Sequence, residues 1–554
     1  MGYNRFFGTV LGLSLAVSLS SSFTQAQTIS VGALDTASAY DGGLLDPSTG
    51  GLDSALWQST SAALAAQVIK SAPVQTDKAI IRDLLKAALL SAGVPPKSED
   101  EADKLRYDTA RLTAIAKMGD GDATATLISR VPNLVSDPKT KAEMALLGGD
   151  SQTGCSVADN ITDGRAEPFW ARLRAVCHIL REEIPAAQLT TELLSQSEYE
   201  DPTFFKLMDI LLGASKPSKS TQALLYDEAL DVIMAELAGV RSGTGPLSPY
   251  LAVQRAIDLE LSDANRLKGL FEGSGFMSDA QMSTVLKGFA SSESDLAGEA
   301  EIIDLNGDPQ TAYDLDTAMV APAPKALGQL YGLSMNGGTP EIKAKAMVEF
   351  LKRADTAGKF DRFATLLETE ARLVPYNIQA LIGLKPFARL AVNAGDIGAL
   401  QSLYRALEDD SAPQTRMALI SDAVGNGFFG GSLGLDIEDR LVSEDDAVRT
   451  RAVRDSYIAL AMGAHLSGKV SAEITSSGKG AGRAAKAGAL IALHAASRRD
   501  ARAETTLRAA TILAPTGPSG LDAASVSSVI TALRGAGLDD FAGRVAAEDF
   551  LNGL

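Results

Sequence analysis

The sequence is poor in the residues that most often carry chemistry. Its 554 residues include two cysteines, three histidines and two tryptophans, and aromatic side chains make up 5%. Cys155, Cys177 and His178 are close in sequence, but His465 and His494 are far from them, so a closed four-ligand zinc site has too few donors. No Walker loop and no His-Glu-x-x-His is present, and no motif asks for a cofactor. Positive charge is the minority sign: 51 Lys and Arg against 69 Asp and Glu give a net charge of -18. Such a chain repels phosphate backbones, which argues against nucleic acid as a partner. Beyond the first twenty residues no apolar run is long enough to cross a bilayer.

What is present is aliphatic and helix-favouring. Hydrophobic residues make up 45% of the chain and charged residues 22%, enough for a large core, and the scarcity of aromatics favours packed helices over sheets. The first residues follow the pattern of a cleavable secretion signal: Arg5, an apolar run from Phe6 to Leu19, and small residues up to Ala26. Cysteine is missing from that point, so a lipoprotein anchor is not expected. An exported chain meets an oxidising compartment, where Cys155 and Cys177 can form one bridge worth roughly 3 kcal/mol. Free thiols, or a metal held with His178, are the alternatives.

The chain divides by composition. Residues 1–26 read as the signal and 27–53 as a flexible Gly/Ser/Asp-rich leader with unopposed Asp35, Asp41, Asp46 and Asp53. Residues 54–318 read as an N-terminal helical region, opening with a helix from Asp53 or Ser54 to Lys70, in which 156–167 forms a loop stapled by the cysteines. Residues 319–339 read as a Pro/Gly-containing connector, 340–424 as helical hairpins, 425–446 as a Gly-rich and acidic loop, and 447–554 as C-terminal hairpins.

One turn recurs. An Ala-rich helix ends at Gly119, Gly358, Gly395 or Gly537, an Asp or Gly comes three positions later, and a degenerate copy runs from Ser497 to Asp500. Glycine in the left-handed conformation ends one helix, and aspartate caps the next. Gly358 and Gly395 are 37 residues apart, about the length of a two-helix repeat. With the Leu366-Leu367 and Leu403-Tyr404 pairs, residues 340–410 resemble tetratricopeptide-like α-solenoids. That resemblance implies stacked helical hairpins that bind proteins or peptides, and no catalytic residues. The expected fold is therefore all-α, an elongated, solenoid-like array of antiparallel hairpins with one disulfide-stapled loop.

Catalytic motifs are weak. Gly430-Gly431-Ser432-Leu433-Gly434 matches Gly-x-Ser-x-Gly, but no strand–turn–helix context surrounds Ser432. Ser-x-x-Lys occurs at Ser136 and at Ser476 without the companion motifs it needs. Asp304-Leu305-Asn306-Gly307-Asp308 starts like a calcium loop, but Pro309 stands where glycine is required. Against the acidic background, Lys479, Arg483, Lys486, Arg498, Arg499, Arg502 and Arg508 form a basic stretch, read as a solvated helix face or a patch for an anionic glycan or lipid. The functional expectation is a non-enzymatic, periplasmic or secreted scaffold that binds a protein or peptide in a bacterial cell envelope. An enzyme acting on envelope polysaccharide through paired carboxylates is the alternative.

Overall fold

The structure, a computed structural model, describes residues 43–118, 138–147, 151–197, 199–218, 229–240, 249–259, 261–290, 302–303, 309–310, 314–409, 411–425, 431–476 and 482–554. All of them lie in one compact unit, Ser38–Leu554. The chain is mostly helical. Two short strands, β1 (Ile302–Ile303) and β2 (Pro309–Gln310), pair antiparallel with Ile302 opposite Gln310. No described helix is long and apolar enough to cross a membrane.

The first helices are α1 (Ala62–Lys70), α2 (Ala79–Leu90) and α3 (Glu101–Lys117). Helix α1 starts later than its apolar pattern suggests. Ser61 caps it, and the Ala62 amide donates to Lys97 O at 3.0 Å, so residues 54–60 are held as turns although Leu56 and Trp57 are buried. The described part of the leader also departs from expectation. The amides of Leu44 and Leu45 donate to Leu90 O at 2.7 and 3.0 Å, and the Leu52 amide donates to Ser91 Oγ at 2.7 Å. Residues 43–53 thus serve the carbonyl that the end of α2 would leave unpaired, and Leu52 is buried.

A lobe follows, built from α4 (Pro138–Leu147), α5 (Ser151–Asn160), α6 (Pro168–Leu180), α7 (Ile184–Ser195), α8 (Pro202–Leu211) and α9 (Ala229–Leu237). It has its own core, in which Trp170, Leu173, Val176, Phe204, Met208 and Met234 surround a Cys155–Cys177 disulfide with Cα atoms 5.6 Å apart. The bridge joins two helices. The loop expected over 156–167 is shorter, because α5 continues to Asn160 with Cys155 and Ala158 on its buried side. Buried Arg172 crosses the lobe to Asp231 at 2.7 Å and Asp201 at 3.3 Å, tying α6 to α9 and to the start of α8.

The main body continues with α10 (Pro249–Ile257), α11 (Asp263–Gly273), α12 (Asp279–Ala290), α13 (Leu315–Val320) and α14 (Ala323–Asn336). The expected connector at 319–339 is largely helix α14. Pro324 sits in its first turn, where proline starts a helix, and Leu330 and Tyr331 are buried. Next come α15 (Pro340–Thr356), α16 (Phe360–Ala364), α17 (Glu368–Ala371), α18 (Tyr376–Asn393), α19 (Ile397–Arg405) and α20 (Ala412–Val424). From α14 through α15, α18 and α19 to α20, each packs on the next. The glycine part of the turn chemistry is visible here, since Gly358, Gly395 and Gly537 all have positive φ; the aspartate cap holds at one turn, where Asp396 Oδ1 accepts from the Ala399 amide at 3.0 Å, while Lys359 and Leu538 start the helices after the other two without a side-chain cap. Asp500 takes the left-handed position at the degenerate copy. The Gly119 turn lies outside the described residues.

The chain ends with α21 (Gly431–Leu441), α22 (Asp446–Ala461), α23 (Gly468–Ser476), α24 (Ala487–Arg498), α25 (Arg502–Leu513), α26 (Ala523–Gly535) and α27 (Asp539–Phe550). Helix α21 replaces half of the loop expected at 425–446; Ile437 and Leu441, four residues apart, bury one side of it. Packing is not confined to sequence neighbours. Helix α25 packs on α1 and α2, and α27 packs on α20. The Ala503 amide donates to Leu56 O at 3.0 Å, and Thr60 Oγ1 donates to Glu504 Oε2 at 3.0 Å. One apolar core therefore includes Trp57, Leu84, Phe350, Leu419 and Phe550.

Candidate functional site

The seam where the two ends of the compact unit meet carries a cleft of about 670 Å³. Residues 45–53 form one wall, α2 contributes Asp83 and Lys86, and α25 and the α26–α27 turn contribute Arg502 and 537–544. Four carboxylates (Asp53, Asp83, Asp539, Asp540) face three cations (Lys86, Arg502, Arg544). Arg502 pairs with Asp53 across the seam, and Arg544 donates to Asp83 Oδ2 at 2.7 Å and to Asn393 O at 2.8 Å. Gly50, with nothing within 4 Å of where a Cβ would stand, leaves backbone bare at one wall, so the cleft offers peptide groups and charges of both signs.

Near this cleft lies a partly buried charge network. Asp361 accepts from the Ala79 amide at 3.0 Å, from Arg389 at 2.9 Å and from Asn393 Nδ2 at 3.0 Å, fastening α16 to the start of α2 and to α18. Burial, and then the charge of Asp361, pushes Glu548 up to about 7, against the pull of Lys78, Arg389 and Arg544. These carboxylates lie within electrostatic reach of each other, but the bonds of Asp361 to Ala79, Arg389 and Asn393 all serve to join helices. Glu548 does not line the cleft.

The basic stretch is divided by folding. Arg499 and Arg508 turn to buried Glu504, at 3.0 and 2.8 Å, and Arg502 pairs with Asp53 and with Asp500. Arg483, Lys486 and Arg498 are exposed, and Lys479 lies outside the described residues. Ser432 stands in the first turn of α21, and residues 426–430 before it lie outside the described residues. His494 Nε2 is 2.6 Å from Ser528 Oγ, with burial and then Arg498 holding the imidazole below its ordinary pKa. Among the described residues no carboxylate is bonded to that histidine. The described residues include no cluster of three or more His, Cys, Asp or Glu able to hold a metal. The 304–308 segment is outside them.

Sequence reasoning missed a second cluster. Asp455 and Asp549 are fully buried. Arg416, Arg440 and Arg451 lie 2.8, 2.7 and 3.0 Å from Asp455, while Arg454 and Arg451 lie 2.5 and 3.3 Å from Asp549. The readable signal was an aspartate in the apolar stripe of a helix, as Asp549 is between Val545, Ala546 and Phe550. Searches for matching family models, similar curated proteins and similar solved structures found none.

Proposed function

We propose that the chain is an exported, non-enzymatic scaffold of a bacterial cell envelope, solenoid-like from α14 to α20, that binds a protein or peptide in the seam cleft. The observation that carries this reading is the cleft itself: about 670 Å³, walled by bare backbone and by charges of both signs, which suits an extended polypeptide. The stepwise packing of α14, α15, α18, α19 and α20 supports the hairpin-repeat reading. Contacts of α25 with α1 and α2 add closure that an open array lacks. The disulfide and the signal-like first 26 residues support export.

Affinity capture with the exported chain and with Thr49→Trp, a substitution at an exposed wall of the cleft, tests this. A partner retained by the first and lost from the second, with equal thermal stability, is the expected result; equal capture contradicts it. Export is tested separately by amino-terminal sequencing of the secreted chain, expected to begin at Gln27. The polysaccharide-enzyme reading draws on Glu548, whose raised pKa suits a general acid. Glycan turnover that vanishes in Glu548→Gln would favour it. Binding of an anionic glycan or lipid by Arg483, Lys486 and Arg498 would be weakened by salt.

A further inference from the structure

Helix α7 turns its apolar stripe away from its neighbour. Among the described helices it packs mainly on α6, and Ala187 and Leu194 are the residues it buries. The opposite side is the more apolar one. Pro185, Leu189 and Leu193 recur every four residues and so share a face, and the two leucines are 59% and 60% exposed. No other described helix has two large aliphatic side chains more than half exposed. Leu180 and Ile184 are exposed as well, where α6 gives way to α7. A surface helix with a single neighbour ordinarily buries its apolar stripe and shows its polar side to water. The support is firm, because the Cys155–Cys177 bridge ties α6 to α5.

The charge around this face has one sign. From Leu180 to Glu200 the sequence carries Glu182, Glu183, Glu192, Glu198 and Glu200 against Arg181 alone. Arg181 is paired with Asp159 of α5 at 2.5 Å. The other cations on or beside α6 are also engaged: Arg174 donates to Arg165 O at 2.7 Å, Arg172 is buried against Asp201 and Asp231, and Lys139 lies over the Phe169 ring at 4.9 Å. His178 meets Glu183 at 2.6 Å, and Glu192 accepts from Gln188 Nε2 at 3.2 Å. Glu182 and Glu192 are exposed and pair with no cation among the described residues.

We propose that this face of α7 docks a basic amphipathic helix of a partner protein, its apolar side chains over Leu189 and Leu193 and its lysines or arginines toward Glu182 and Glu192. The surface is separate from the seam cleft, and neither reading depends on the other. A second copy of the chain is a poor occupant. It would set the same glutamates against one another, and these few side chains fall short of the roughly 800 Å² that each partner buries in a stable dimer. Anionic lipid headgroups would meet the same repulsion. One helix laid along the face matches both its size and its charge.

The test is fluorescence anisotropy of a leucine–lysine peptide patterned as an amphipathic helix, titrated with the full chain at about 0.15 M salt, where long-range attraction is largely screened. Saturable binding is expected, with none for leucine–glutamate or serine–lysine peptides of the same length. Leu189→Gln together with Leu193→Gln, both at exposed positions, should weaken binding at least about tenfold at unchanged thermal stability. Glu192→Gln should weaken it about two- to fivefold. Leu381→Gln, at an exposed leucine of α18, and Thr49→Trp in the seam cleft should leave the affinity unchanged. Failure of the leucine–lysine peptide to bind the folded chain overturns the proposal. So does equal binding of either control peptide, unchanged affinity in the paired leucine variant, or an equal loss in Leu381→Gln or Thr49→Trp. Self-association, or sedimentation with anionic vesicles, that disappears in the paired leucine variant would assign the face to another occupant and overturn it too.

Discussion

Replacing Asp455 by asparagine should destabilise the main body selectively. The carboxylate is fully buried, and three guanidinium groups from α20, α21 and α22 converge on it at 2.7–3.0 Å. Asparagine keeps the volume and removes the charge, leaving Arg416, Arg440 and Arg451 facing one another. Breaking a buried pair from one side costs about 3–5 kcal/mol, and three cations on one acceptor place Asp455 at the upper end of that range. The two tryptophans make the assay local: Trp57 is in the main core and Trp170 in the disulfide lobe. Urea unfolding followed in Trp170→Phe reports the body, and in Trp57→Phe the lobe. With a slope of about 3 kcal/mol per M, the body midpoint should fall by more than about 1 M, and the lobe midpoint should not move. Converting Asp455 to Leu with Arg416 and Arg440 to Met should recover much of the loss, because apolar side chains replace three of the four charges and Arg451 keeps Asp549. A cost below about 1 kcal/mol, or equal shifts in both reporters, would refute the reasoning.

Three further outcomes follow from the same contacts. Below its ordinary pKa of 4.5 Glu548 is protonated whether the chain is folded or not; between 4.5 and about 7 only the folded chain keeps the proton, so stability falls as pH rises through that window. Glu548→Gln should remove this slope and, above pH 7, gain at most about 3 kcal/mol, read from urea midpoints at pH 5 and pH 8. Exchanging Cys155 and Cys177 for serine should cost the lobe about 3 kcal/mol in the Trp170 reporter and leave the Trp57 transition in place. Gly383→Ala should cost about 1–3 kcal/mol by pressing on Val348, and Val348→Ala in the same chain should return part of it, as a double-mutant cycle would measure.

Local chemistry was legible in the sequence and spatial pairing was not. The glycine turns at 358, 395 and 537, the Asp396 cap and the single disulfide all follow from residues a few positions apart or from cysteine arithmetic. Boundaries failed where proline and glycine were read as breakers: Pro324 starts α14, and α21 starts at Gly431. The basic stretch divides for a different reason. Charge counted along the chain grouped Arg502 with its neighbours, as a solvated helix face or an anion patch, but its partner Asp53 is 449 residues away. Thr60 and Glu504, 444 residues apart, are paired in the same seam, and nothing in either local segment announces the other. The seam cleft was invisible for that reason, while Asp549 in an apolar stripe was a signal that went unread.

The central claim is that the seam cleft holds a polypeptide. Its most direct test places a photo-crosslinking benzophenone at Thr49, in the cleft wall, and at Lys352, exposed on α15 outside it. In the producing cell, Thr49 should yield one discrete protein or peptide adduct that competes with unlabelled chain, and Lys352 should yield none. Adducts of equal strength from both positions, or none from Thr49 in correctly folded chain, would contradict the account.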